Sequence, residues 1–248
     1  MRTIQRRVLG IMLLLSLVLL GACAPQNRRA AERIEAYLQS KYGEPFIVEA
    51  IGGGFGSMTT NTLKAEVHLK ASPDKRFKAE ITKDFEIVWD SYMNVIMAEK
   101  LDRTVTEMAE PLFGQKVWVK SFFDSGALSY PAMELNDMNI SLRDYRYYSA
   151  VMKIFVQSDP PFDADVQARR LDALVKGLVE QGMKRALIST LFIYPEQFDR
   201  LQTTLAEEEN IYTYFKNQNR SLNIVTTEIK NFNQVDDVEQ IKARFYFK

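Results

Sequence analysis

The chain has 248 residues, with 32 basic and 32 acidic side chains and no formal net charge. That balance excludes a nucleic-acid binder that works through bulk positive charge. Apolar residues make up 46% of the chain and are spread along it, enough to bury a core and too many for a disordered polymer. No repeat of fixed period and no low-complexity tract interrupts it.

Arg2, Arg6 and Arg7 open the chain without an acidic neighbour, and residues 8–20 are apolar apart from Gly10 and Ser16. That run is shorter than the roughly 20 residues a spanning helix needs and suits the h-region of an export signal. Gly21, Ala22 and Ala24 then surround Cys23. Leu20-Gly21-Ala22-Cys23 resembles the lipobox of bacterial lipoproteins. The resemblance implies cleavage before Cys23, a thioether to diacylglycerol on its thiol, and a membrane tether of two or three acyl chains such as palmitate, where one chain alone would hold only marginally. Ala22-Cys23-Ala24 also fits an ordinary signal-peptidase site, and an unprocessed signal anchor is the third reading. Cys23 is the only cysteine, so an internal disulfide is impossible, and lipidation accounts for its presence in an exported chain. Residues 1–22 therefore read as the signal and 23–27 as a lipidated tether. Loss of the three arginines leaves a small acidic excess, and no later stretch is long and apolar enough to span a bilayer. Arg28, Arg29 and Arg33 follow the tether, where they either meet anionic headgroups or form a solvated helix start.

The mature chain reads as α+β, in two small lobes of mixed or antiparallel sheet with helices packed on one side. The first lobe is expected over 28–123. Ile34, Tyr37, Leu38 and Tyr42 predict a helix over 28–42, stopped by Gly43 and Pro45. Strands are expected at 46–51, 62–71, 77–81 and 85–89, separated by turn signals at Ser72-Pro73-Asp74 and Lys83-Asp84. Asp90 or Ser91 caps a long helix whose stripe is Tyr92, Ile96, Leu101, Val105, Met108 and Leu112, with Gly114 as its stop. A strand over 117–123 closes the lobe. Residues 124–146 lack periodicity and read as a linker.

The second lobe is expected over 147–248. A strand over 147–156 leads through Asp159-Pro160-Pro161 to a helix capped by Asp163, with Val166, Leu171, Leu174, Leu178 and Val179 as its stripe and Gly182 as its stop. Residues 186–194 are apolar enough for a central strand. Pro195 opens a helix to about 217, and 222–229 and 241–247 read as a final antiparallel pair.

No residue set fixes a reaction. Gly52-Gly53-Gly54-Phe55-Gly56-Ser57 lacks both common phosphate-loop spacings and reads as a hairpin connection. His68 is the only histidine, which excludes H-E-x-x-H zinc sites, and it shares a strand face with Glu66 and Lys70. Glu207-Glu208-Glu209 reads as a solvated helix face and Asp236-Asp237 as a turn, without calcium-loop spacing. Tyr145, Tyr147 and Tyr148, with Tyr212, Tyr214 and Phe215, divide between core and interface. No catalytic, metal or cofactor residue is assigned, and Cys23 is the one site residue.

The stretch 37–118 resembles a class of small membrane-attached proteins common in Gram-positive bacteria. The resemblance rests on Tyr42-Gly43-Glu44 after a helix, Val48 in the next strand, the segment from His68 to Asp74, and Asp90-Ser91-Tyr92-Met93 opening a helix. It implies a location, the extracytoplasmic face of a cytoplasmic membrane in preference to an outer membrane, and no activity. The expected function is non-enzymatic binding of a protein or cell-envelope partner. A small-ligand receptor for a transporter, with its ligand near 124–139, is the alternative, and a carboxylate hydrolase ranks third.

Overall fold

A computed structural model describes residues 24–52, 60–123, 150–201, 203, 221–230 and 234–245. These form helices and two sheets, an α+β fold. The described residues divide into two compact units, 24–92 and 93–245.

The first unit is one helix on a four-stranded antiparallel sheet. Helix α1 spans Ala24–Tyr42, followed by β1 (Phe46–Ile51), β2 (Thr62–Leu69), β3 (Ser72–Thr82) and β4 (Val88–Asp90), paired in chain order. Ala30, Ile34, Leu38 and Tyr42 recur every fourth residue and are buried, while Leu63, Ala65, Val67 and Leu69 alternate inward along β2. Between them Lys64, Glu66 and His68 face outward, the pattern of a sheet buried on one side. The expected tether over 24–27 is instead the first turn of α1. Proline is tolerated there because the first helical N–H groups have no helical partner. Asn27 also ties this turn to β1, its Nδ2 donating to the Ile51 carbonyl at 3.4 Å. Residues 85–87, expected to begin a strand, form a turn in which Phe85 adopts φ +67° and donates its N–H to the Thr82 carbonyl.

Asp90 closes this unit. Its carboxylate is buried and accepts from Tyr42 Oη at 2.7 Å, Lys41 Nζ at 2.9 Å and the Tyr92 N–H at 3.1 Å. Tyr42, Phe46, Phe77 and Tyr92 stack around it with ring centroids 4.9–6.0 Å apart. Burial pulls the Lys41 ammonium down, but the charge and hydrogen bond of Asp90 outweigh it and leave the net shift upward.

The second unit begins on helix α2 (Tyr92–Phe113). It continues through β5 (Val117–Phe123), β6 (Ala150–Gln157), α3 (Ala164–Glu180), β7 (Ala186–Ile193), the short α4 (Pro195–Phe198), β8 (Ser221–Lys230), β9 (Gln234–Val235) and α5 (Val238–Ala243). The sheet order is β5-β6-β7-β8-β9, parallel only between β6 and β7, which α3 connects. One face carries Val119, Met152, Ile154, Ile188, Phe192 and Val225, all buried. Phe113 of α2 meets Phe192 at 6.0 Å, and a side chain at Gly177 of α3 would meet the Met108 methyl of α2, so both helices pack closely on that face. On the opposite face Phe155, Leu191, Ile193, Leu201 and Ile224 form a smaller cluster with Trp118 and Phe198.

Two boundaries differ from the sequence reading. The division falls at Tyr92/Met93, not at 124–146: β5 precedes that stretch yet pairs along its whole length with β6, from Val117↔Val156 to Phe123↔Ala150. Of the strand expected at 241–247, residues 241–245 do not form one, and 246–247 lie outside the described residues. Asp237 accepts from the Gln240 N–H while the Gln240 side chain accepts from the Asp237 N–H, a capping box that starts α5, and β8 finds its partner in β9.

Replacing Asp90 with alanine should destabilise the protein by about 3 kcal/mol, because Lys41 and the Tyr42 hydroxyl lose a buried acceptor. Asp90→Asn, which keeps one acceptor, should cost less than half of that. Urea unfolding of both variants checks the order.

Candidate functional site

Helix α2 can be read as three adjacent rows at spacing i, i+4. Met97, Leu101, Val105, Ala109 and Phe113 form the innermost, fully buried row, so the stripe is centred one residue away from the expected Ile96, Met108 and Leu112. Asp102 and Thr106 stand in the half-buried row beside it, and Glu99, Arg103 and Glu107 in the row beyond. The next segment of chain, after the Gly114 stop, is β5, an edge strand of the sheet. Glu99, Asp102, Arg103, Thr106 and Glu107 therefore face Val117, Trp118, Val119 and Lys120 across an open cleft of about 570 Å³.

Asp102 is the chemically distinctive group in this cleft. Burial pushes its carboxyl up to about 6. Ser121 on β5 and the Lys120 charge pull the other way, and Glu99 adds to the rise. The Ser121 contact is not a well-formed hydrogen bond, since Ser121 Oγ and Asp102 Oδ1 are both buried without a partner. The Asp102 carbonyl is taken by Thr106 Oγ1 at 2.7 Å, which fixes the turn of helix, and the carboxyl accepts from the Ser121 N–H while its Oδ1 keeps no partner.

The edge strand supplies the other wall. Gln157 donates its N–H to the Lys116 carbonyl, and the register pairs Val117 with Val156. Alternation along an antiparallel ladder then directs the N–H and C=O of Val117, Val119 and Ser121 away from β6. The cleft thus combines a row of backbone donors and acceptors with a helix bank of mixed but mainly acidic charge.

A solved crystal structure has a similar fold. A DUF5037 family protein from Ruminococcus gnavus is similar, with 16% identity, a TM-score of 0.52, and coverage of 86% of this chain and 98% of that one. At that identity the likeness concerns the fold alone. No family model and no curated protein matches the chain.

The sequence-derived candidates do not gather at the cleft. Gly52 adopts φ +80°, and the rest of its glycine run lies outside the described residues. His68 is half-buried on β2, its Nδ1 3.1 Å from the Leu69 carbonyl. Asp236 and Asp237 are structural: Asp236 pairs with Arg244, with one contact at 2.9 Å, and accepts the Glu228 N–H, while Asp237 caps α5. Arg28 pairs with Glu32, and Arg29 lies over the Phe85 ring at 5.3 Å. Cys23, the Glu207–Glu209 run and the tyrosine clusters at 145–148 and 212–215 lie outside the described residues. Among the described residues no group of three or more His, Cys, Asp or Glu side chains could hold a metal ion. The sequence reading missed Asp102. Its signal was a carboxylate four residues before a threonine, flanking the Leu101 and Val105 stripe.

A carboxyl whose folded pKa lies above its unfolded 3.8 favours the folded state most when protonated. That contribution is fully present below about pH 4 and is lost as pH rises through about 6. Asp102→Asn should therefore stabilise the protein at pH 7.5 by about 1 kcal/mol, the shift being discounted for the solvent side of the cleft. The difference should vanish near pH 4 in urea titrations.

Proposed function

We propose that this protein is a lipid-anchored binding module on the extracytoplasmic face of the cell membrane. In this reading lipid on Cys23 holds it there, and an envelope protein occupies the cleft between α2 and β5. The observation that carries the reading is the cleft itself. It places an under-solvated carboxyl, charged side chains of both signs and the backbone of an edge strand, among the described residues, around one open space. Such a lining supplies directional contacts for recognition. Arg28, Arg29 and Arg33 support the location, being exposed on the first turns of α1, close in sequence to Cys23. Each adds about 1 kcal/mol of attraction when it reaches anionic headgroups.

Cells fed an alkyne fatty acid should label the protein, and Cys23→Ser should abolish both the label and its partition into the detergent phase. Retained label in that variant overturns the anchor. A photo-crosslinking side chain replacing Glu107, on the rim of the cleft, should capture an envelope protein in intact cells. The same group replacing Glu110, exposed on α2 outside the cleft, should capture little.

The cleft volume also falls in the range of small-molecule sites, roughly 300–1,000 Å³, which favours a small-ligand receptor as the second reading. A thermal-shift panel of amino acids, sugars and metals separates the two. A response lost in Thr106→Trp, which fills the cleft, selects the receptor.

A further inference from the structure

The edges of the two sheets are treated differently. At the β1 edge the Val48 N–H donates to Glu35 Oε1 at 2.8 Å, Asn27 takes the Ile51 carbonyl, and a bulge interrupts the ladder between Val48 and Ala50. The β4 edge is three residues long and the β9 edge two. These are the usual devices that stop a sheet from recruiting another strand: a bulge, side-chain capping, or too little length. The β5 edge is guarded less: among the described residues one side chain reaches it, the Asp102 carboxyl at the Ser121 N–H, which leaves the outward backbone of Val117 and Val119. The strand is seven residues long, free of proline, and in unbroken register with β6. Four of its seven side chains are buried, and Lys120 is its one charge. A long, regular, apolar edge is a template for strand addition, and here it forms the floor of the cleft whose wall is α2.

We infer that the cleft takes its ligand as an added β-strand: an extended, lysine- or arginine-bearing segment of the partner protein pairs with the outward backbone of Val117 and Val119, and its cationic side chains meet Glu99, Asp102 and Glu107. This rests on the reading of the α2–β5 cleft as the binding site. Main-chain pairing supplies affinity in this mode of recognition, and alternate side chains supply specificity. The cleft lining carries three carboxylates, Glu99, Asp102 and Glu107, against two cations, Arg103 on α2 and Lys120 on β5, an acidic excess of one that lies on the helix wall. A segment with acidic side chains on that side would meet like charge and the half-buried Asp102, so the preference is for a basic segment. A short run of strand, near 3.3 Å per residue, matches the stretch from Val117 to Val119.

The test uses the full chain in detergent and four fluorescent eight-residue peptides read by anisotropy. One alternates lysine with valine. The second has glutamate for lysine. The third and fourth are the lysine peptide N-methylated either at every lysine or at every valine amide. The lysine peptide should bind saturably and at least about tenfold more tightly than the glutamate peptide. One methylated series, and not the other, should lose about tenfold, because only one edge of an added strand faces β5. Val119→Pro removes an N–H that points away from β6, a change edge strands tolerate, and it should weaken the lysine peptide by a similar factor. Glu99→Lys with Glu107→Lys should reverse the charge preference. Equal binding of both methylated peptides, equal binding of the glutamate peptide, or no saturable binding overturns the inference. So does a self-associated chain that Val119→Pro converts to monomers in sedimentation, which would make a second copy the occupant. If the Glu107 crosslink to an envelope protein persists while the peptides are silent, strand addition falls and the cleft reading stands. If both are silent, both fall.

Discussion

An open β-sheet ends in two rows of backbone N–H and C=O groups that its own strands cannot pair, and a chain with two such sheets has four rows to manage. Much of this molecule's detail answers that constraint. Glu35 and Asn27 project from α1 to β1, so the helix that covers the first sheet also caps its edge. The far edge of that sheet is cut to three residues and turned directly into α2 through Asp90 and Ser91, whose hydroxyl meets the Lys78 backbone at 3.1 Å. In the second sheet β9 is two residues long, and the chain passes at once into α5. Among the described residues only β5 presents a full strand, and the helix beside it reaches that edge with one carboxyl, Asp102 at Ser121.

Two aspartates show how the same side chain serves opposite ends. Asp90 is buried with three donors around it, so its charge is compensated and it fastens the end of β4 to the start of α2. Asp102 stands on the same helix, buried enough to raise its pKa to about 6 but with Oδ1 left unpaired. A satisfied buried carboxylate rigidifies, whereas a partly satisfied one stores unfavourable free energy that a cationic ligand can relieve. The contrast is one of partners, not of burial alone.

Much of the architecture was legible in the sequence because burial and period coincide there. The alternation of Leu63, Ala65, Val67 and Leu69 identifies β2, the apolar run at 186–193 the central strand β7, and Asp163 the start of α3, where it accepts the Val166 N–H at 3.0 Å. The errors have physical causes. Ile241, Ala243 and Phe245 alternate as a strand would, but Asp237 and Gln240 cap a helix that takes in Ile241 and Ala243, and that pair was visible in the sequence as the motif Asp-x-x-Gln. Val166 falls at the spacing of the buried stripe of α3 but is exposed, because a first-turn residue can lie beyond the sheet that the later turns cover. The unit boundary was misplaced because periodicity reports local structure, and nothing local reveals that β5 pairs across the intervening stretch with β6. The cleft was hidden for the same reason. Which strand ends at an edge is a property of topology, and a carboxylate on a helix flank looks solvated until its neighbour is known.

The order of strands also sets a timetable. The first sheet is a meander in which each strand pairs with the next, so its contacts are local in sequence and can close quickly. The second needs β6 to return to β5, and then a parallel pairing of β6 with β7 across α3, contacts that pay loop-closure entropy before they yield stability. In a chain delivered N-terminus first, β5 is present before either of its sides can be covered. The strand that ends as an open edge thus begins with two, and the interval before β6 arrives is the stage at which the nascent chain is most exposed to pairing with another molecule.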